Sequence, residues 1–135
     1  MKGVYVLLIK VSRNVKLKVG CLGVIKFSKG FYAYVGSAQN SLENRIKRHF
    51  RKRKKKFWHI DYLLSNSFSS IQKVFYLTSD KDMECRIATI MIQDFNYVPG
   101  FGSSDCKCAS HLVKVSNIQN FYEIIRELNM KEFNV

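Results

Sequence analysis

Glu84 is the residue whose position most needs explaining. It falls three and four residues before Ile87 and Ala88, on the apolar stripe that Ile87, Ala88, Met91, Ile92 and Phe95 draw along one helix. An ionised carboxylate on such a stripe is costly unless it is paired, hydrogen-bonded or bound to a metal ion. The other reading is a glutamate at the edge of the stripe, favoured by the dipole of the helix start. Tyr5, Tyr32 and Tyr34 belong to two neighbouring strands and can share one sheet face. The usual fate of strand tyrosines is to pack in the core with the hydroxyl at its rim. A tyrosine, with a free pKa of about 10, becomes a base only where a cation favours the phenolate. Arg45 and His49, four residues apart on a helix, are the nearby candidates.

The charge pattern points to a polyanion. Lys and Arg number 23 against 10 acids, a net charge of +13. The window Arg45 to Lys56 holds nine of those cations and no acid, and the rest of the chain holds 14 cations against 10 acids. A basic patch this focused predicts a nucleic-acid partner. Lys47, Arg48, Arg51, Lys52, Arg53, Lys54, Lys55 and Lys56 would track the phosphate backbone, which carries no sequence information. The alternative is a solvated Lys/Arg face.

Four cysteines, Cys21, Cys85, Cys106 and Cys108, raise the question of a soft metal. Cys106-x-Cys108-x-x-His111 is the nearest approach to a zinc motif, with Cys85 or Cys21 as fourth ligand. The spacing is not that of a paired knuckle, so reduced thiols are the expectation and zinc is not. A disulfide at Cys85 is the remaining reading.

These residues need elements to hold them. Gly3 to Val11 is apolar and β-branched and reads as a central strand. Val15 to Phe27 reads as a ribbon turning near Cys21–Gly23. Phe31 to Gly36 is a strand with Tyr32, Tyr34 and Gly36 on one face. Asn40 or Ser41 caps a helix from Leu42, with Leu42, Ile46 and Phe50 as its stripe and Arg45 and His49 beside it. Lys52 to Lys56 reads as an exposed turn. A short helix from Trp58 to Ser65 carries His59, Tyr62 and Leu63 on one side, with His59 and Asp61 read as cap and packing residues. Ile71 to Leu77 is a strand, and Ser79-x-x-Asp82 starts the Glu84 helix as a capping box. Pro99 to Asp105 is an irregular loop, His111 to Val115 an edge strand, and Asn117 to Met130 an amphipathic helix.

Gly3-Val4-Tyr5, Tyr34-Val35-Gly36, Arg45 and Glu84, in that order on those elements, resemble the signature of the GIY-YIG nuclease superfamily. Tyr34-Val35-Gly36-Ser37-Ala38 with Arg45-x-x-Arg48-His49-Phe50 is similar to its homing endonucleases. Phe57-Trp58-His59-Ile60-Asp61-Tyr62-Leu63-Leu64, Glu84-Cys85-Arg86 and Pro99 to Cys106 resemble one archaeal subfamily, sometimes fused to an endonuclease III-like glycosylase. The resemblance implies roles for these positions. Tyr5 would orient the water or support the scissile phosphate, and Tyr34 would be the general base. Arg45 would stabilise phosphoryl charge, His49 would assist proton transfer, and Glu84 would hold a single Mg²⁺ or Mn²⁺. Gly36, His59, Ser104 and Asp105 are secondary site candidates. The chain departs from the pattern in the Val at each tripeptide centre, in the Ser at position 37 where some relatives carry Lys, and in the inserted ribbon from Val15 to Gly30. Many members place an Asn after the metal-binding Glu; here Asn96, Ser104 or Asp105 would have to fill that role.

The expected fold class is α/β in the α+β sense, a small, mainly antiparallel sheet flanked by helices with an inserted β-ribbon, as one domain over residues 1–135. Composition excludes collagen-like, mucin-like and disordered chains. No run of 18 apolar residues exists in the sequence, so a membrane span is not expected. A cytoplasmic, metal-dependent endonuclease acting on DNA is the expectation. It would be structure-selective, serve repair or recombination, and depend on a partner protein for any sequence specificity. The alternative is a nucleic-acid-binding module that does not cut.

Overall fold

Strand β1 (Gly3–Val11) is buried along nearly its whole length, as its unbroken apolar run dictates. It pairs antiparallel with β4 (Gly30–Ala38) on one side and with β5 (Ser69–Leu77) on the other. Beyond β4 lie β7 (Leu112–Val115) and β6 (Asn96–Tyr97), and beyond β5 lies β8 (Lys131–Glu132). The result is a six-stranded antiparallel sheet in the order β6–β7–β4–β1–β5–β8. A separate ribbon joins β2 (Val15–Lys18) to β3 (Val24–Phe27) through a 3-10 turn at Gly20–Leu22. Four helices complete the α+β fold: α1 (Leu42–Phe50), α2 (His59–Leu64), α3 (Asp82–Asp94) and α4 (Ile118–Glu127). The computed structural model describes residues 1–103 and 107–134. Among them, no helix is long and apolar enough to cross a membrane.

The period of two along the strands splits the core into two layers. Tyr5, Leu7, Ile9, Tyr32 and Tyr34 face Leu42 and Ile46 of α1, Ile60, Leu63 and Leu64 of α2, and Phe27 of the ribbon. Val4, Val6, Leu8, Ala33 and Val35 face Ile87, Ala88 and Met91 of α3 and Phe121, Ile124 and Ile125 of α4. The tyrosines of β1 and β4 therefore do share a face. Tyr32 spends its hydroxyl on the Ser28 carbonyl, 2.8 Å away at the base of the ribbon.

Several local expectations need correction. The inward stripe of α1 includes His49, 2% exposed, while Phe50 is 41% exposed. His49, seven residues after Leu42, completes two turns and falls on the buried face, and Phe50, one residue later, is turned away from it. In α2 the buried residues are Ile60, Asp61, Leu63 and Leu64, and Tyr62 is half-buried against the same layer. No capping box opens α3: Ser79 Oγ donates to the Asp80 carbonyl, and the N-cap is Lys81 in helical conformation. Strand β7 is not an edge, because β6 pairs outside it. Two-residue strands such as β6 and β8 are too short to show a period.

Candidate active site

The pocket forms where β4 outruns β7. Their pairing ends at Tyr34 with Leu112, apart from a last bond from Val35 N–H to the His111 carbonyl. Past that point the sheet edge is open, and the first turn of α3 brings Glu84 around to the tyrosine side. Tyr5 from β1, Tyr34 from β4, Arg45 from α1 and Glu84 from α3 line one cavity of about 290 Å³. Ser37, Gln39 and Asn40 add polar groups to its wall, and Trp58, Lys81, Gly102 and His111 complete it.

Tyr5 is fixed from two directions. Its hydroxyl lies 2.6 Å from His49 Nε2 in the buried layer. Burial pushes the His49 imidazole down to about 3, with Lys54 adding to the effect, so the ring is neutral at ordinary pH. Burial also raises the Tyr5 phenol well above its usual range, against the opposing pull of Arg45. Tyr5 Oη and His49 Nε2 thus share one neutral hydrogen bond, whose direction follows the imidazole tautomer. On its other side Tyr5 pairs with Gly36 across β1 and β4. A Cβ on Gly36 would lie 2.6 Å from both Cζ and Oη of Tyr5. Gly36, singled out from the sequence, is thus a space-making residue beneath the Tyr5 ring. His49 stands behind Tyr5 and is not part of the cavity wall.

Arg45 is held by acceptor and ring together. Its Nη1 donates to the Ser37 carbonyl at 2.9 Å, and its Cζ stands 4.3 Å from the centre of the Trp58 ring. Arg48, one helical step on, places its Cζ 4.5 Å from the same ring. Arg45 also hydrogen-bonds the Tyr5 hydroxyl, and the guanidinium so fixed lines the cavity as a planar cation that an anion can meet.

Tyr34 is the second phenol, and burial raises it well above the ordinary range, with Tyr5 and Glu84 adding to the rise and Arg45 opposing it. Both phenols are protonated in this environment. Glu84 is 13% exposed, and its Oε2 lies 3.6 Å from His111 Nδ1. Burial lowers the His111 pKa, with Lys81 adding to the shift, so the imidazole is mostly neutral. The Glu84 carboxylate is the anionic oxygen of this lining and could hold a hard divalent cation, beside the cations Arg45 and Lys81.

The basic segment divides into two groups. Arg48 forms a two-pronged pair with Asp61, at 2.8 and 3.0 Å, and also donates to the Lys55 carbonyl. The Asp61 carboxylate is fully buried and accepts from Phe57 N–H and Trp58 N–H as well. Burial pushes its pKa up, but the Arg48 bond and the two N–H donors outweigh that and hold it below the usual value. Lys52 Nζ donates to the Leu64 and Asn66 carbonyls at 2.9 Å and also to that of Ser69. Lys54 Nζ closes α1 on the Arg48 and His49 carbonyls, and burial lowers its pKa to about 8. These three cations bind the segment to the fold, so the expected exposed turn is stitched down at Lys52 and Lys54. Lys52 is nonetheless exposed as a residue, as are Lys47, Arg51, Arg53, Lys55 and Lys56, so the turn from Lys52 to Lys56 is exposed at every position but Lys54. Phe57 beside them is also exposed.

His59 Nδ1 accepts from Gly102 N–H at 2.8 Å, which ties α2 to the loop over the pocket. Gly102 has a φ of +75°, and a Cβ there would crowd Tyr34 and His111. Ser104, Asp105 and Cys106 lie outside the described residues. Trp58, Lys81 and Gly102 were not legible as site residues. Lys81 carried a usable signal, three residues before Glu84 and so on the same helix face.

The family model described as Domain of unknown function DUF123 matches residues 4–133, and the chain belongs to that family. Nothing among the curated proteins and nothing among the solved structures matches it.

Proposed function

We propose that this member of the DUF123 family is a divalent-metal-dependent endonuclease that hydrolyses phosphodiester bonds in DNA, with a role in repair or recombination. One observation carries the reading. Tyr5, Tyr34, Arg45 and Glu84, from four separate elements and up to 79 residues apart, line a single cavity. Their order along the chain resembles that of the GIY-YIG nucleases, which supports the assignment.

The residues divide the work by chemistry. Arg45, preset by Ser37 and Trp58, would bind the scissile phosphate and stabilise charge as it builds on its oxygens. Tyr5, anchored by His49, would orient the phosphate or the attacking water. Tyr34 would accept the water's proton only in its phenolate form, which its surroundings disfavour. Glu84 would hold Mg²⁺ or Mn²⁺, which when bound polarises the phosphate and favours the phenolate. The exposed cations Lys47, Arg51, Arg53, Lys55 and Lys56 would follow the DNA backbone. No reading element for base sequence is evident among the described residues, which favours recognition of DNA structure.

The test is cleavage of linear and branched DNA with Mg²⁺ or Mn²⁺ by wild type and by Glu84→Gln. The expected result is cutting by wild type, a loss of at least about a hundredfold in Glu84→Gln, and unchanged DNA binding in both. Equal cutting by both proteins would remove Glu84 as the metal ligand. DNA binding without cutting by either would establish the non-catalytic module instead.

A further inference from the structure

We propose that Cys85, Cys108 and His111 form a second metal site, for Zn²⁺, that is distinct from the cation site at Glu84. One ligand atom from each residue lies within 4.8 Å of the other two. The three arrive from different places. Cys85 sits in the second turn of α3, Cys108 in the loop between β6 and β7, and His111 immediately before β7.

Geometry and donor type agree on the ion. Zn–S bonds of about 2.3 Å and Zn–N bonds of about 2.0 Å in a tetrahedron place ligand atoms roughly 3.5–3.8 Å apart. The triangle here needs to close by at most about 1.3 Å to reach that spacing. Two thiolates and an imidazole suit Zn²⁺ and do not suit Mg²⁺, which prefers oxygen. His111 is buried and both cysteines are half-buried, so the ligands are shielded from bulk water without being sealed from it. The sequence disfavoured zinc because Cys106-x-Cys108-x-x-His111 is not the spacing of a paired knuckle; the fold brings Cys85, 23 residues before Cys108, to the loop.

The site has a structural consequence for the pocket. Gly100 N–H donates to the Ala109 carbonyl, and His111 N–H donates to the Phe101 carbonyl, both at 2.8 Å. A metal joining Cys108 and His111 to Cys85 would lock this loop to α3, and with it Phe101 and the pocket-lining Gly102. His111 also faces Glu84 at 3.6 Å. Glu84 thus stands where metal-bound histidines usually find an outer carboxylate.

The inference is independent of nuclease activity, because its readout is metal content and spectrum. Protein purified under reducing conditions is expected to carry one equivalent of zinc by elemental analysis. After removal of zinc, titration with Co²⁺ should give the near-ultraviolet thiolate charge-transfer band and a tetrahedral visible spectrum. Cys85→Ser and Cys108→Ser each remove a bond to the ion and should weaken Co²⁺ binding by more than the about hundredfold that loss of an outer partner costs. Cys21→Ser, at the exposed ribbon turn, should leave it unchanged, whereas Glu84→Gln should weaken it by about 10–100-fold, as loss of an outer carboxylate does, and keep the thiolate band at saturating Co²⁺. The wild-type titration needs no variant, so a variant that fails to fold does not decide the matter. Reduced wild type that gives no thiolate band with Co²⁺ would overturn the proposal. So would a band retained in both Cys variants, or one lost in Glu84→Gln with the fold intact.

Discussion

The Tyr5 ring fills the space that a side chain on Gly36 would need. The two residues face each other across β1 and β4, and a Cβ at Gly36 would fall 2.6 Å from the ring. The last glycine of Tyr34-Val35-Gly36 therefore belongs to the same device as the tyrosine of Gly3-Val4-Tyr5. One strand supplies the phenol and the other supplies the room for it.

Gly36→Ala should displace Tyr5 and break its bond to His49. Overpacking of this kind costs about 1–3 kcal/mol, and the orphaned His49 nitrogen adds to it. Urea denaturation should show that loss, and DNA cutting should fall by more than the loss of folded protein accounts for. Unchanged stability and cutting would mean that Tyr5 has room to move without consequence.

His49 sets an acid limit on stability. Its folded pKa is about 3, below the ordinary value of 6.5. The unfolded chain therefore binds more protons between those values, and stability falls as pH drops from 6.5 towards 3. From pH 6.5 to 4 the loss from this residue is on the order of 3 kcal/mol. His49→Gln lowers stability at pH 7 by removing the ring, but should flatten the fall towards pH 4. Denaturant midpoints at several pH values check it, and parallel slopes for both proteins would count against the buried neutral imidazole.

The basic segment should separate by mutation into binding and folding cations. Replacing Lys47, Arg51, Arg53, Lys55 and Lys56 with Ser should lower the slope of log K against log salt by about 0.9 for each phosphate that these side chains neutralise. Thermal stability should barely change. Arg48→Ala should instead destabilise the fold by about 3–5 kcal/mol, because it strands the buried Asp61 carboxylate. A fivefold variant with an unaltered salt slope would reduce the exposed run to a solvated face.

Much of this fold was legible because its signals are local. The unbroken run of β1, the alternation of Tyr32, Ala33, Tyr34 and Val35, and the stripes of α3 and α4 each carry their period within one element. The convergence of Glu84 with Tyr34 was readable in outline, since a carboxylate on an apolar stripe demands a partner. What the sequence hid depends on chain crossings. The inward place of His49 goes with the buried Tyr5 hydroxyl, which needs a hydrogen-bond partner, and the structural use of Lys52 and Lys54 follows from carbonyls that α1, α2 and the turn after α2 leave open. Trp58 enters the pocket because Arg45 and Arg48 lie over its ring. The closeness of Cys85 to Cys108 depends on α3 packing beside the loop before β7.

Arg45 tests the chemistry most directly. Its guanidinium bonds the Ser37 carbonyl and lies over Trp58 while lining the cavity. Lysine keeps the charge but has no planar fork to satisfy both supports at once. Arg45→Lys should therefore lower the cutting rate by about 10²–10³, the usual cost of one misplaced donor to a developing oxyanion. DNA affinity should hardly change, because the exposed cations are intact. Trp58→Leu keeps Arg45 and removes one of its supports, so its rate loss should be smaller. Arg45→Ala should show a second effect, because the arginine charge pulls both phenols downward. Without it the phenols rise further, and a rate that depends on phenolate should climb only at higher pH. The pH–rate profile of Arg45→Ala should accordingly move to higher pH relative to wild type. A rate loss with no movement of the profile would leave Arg45 a phosphate ligand and remove a tyrosinate base from the mechanism.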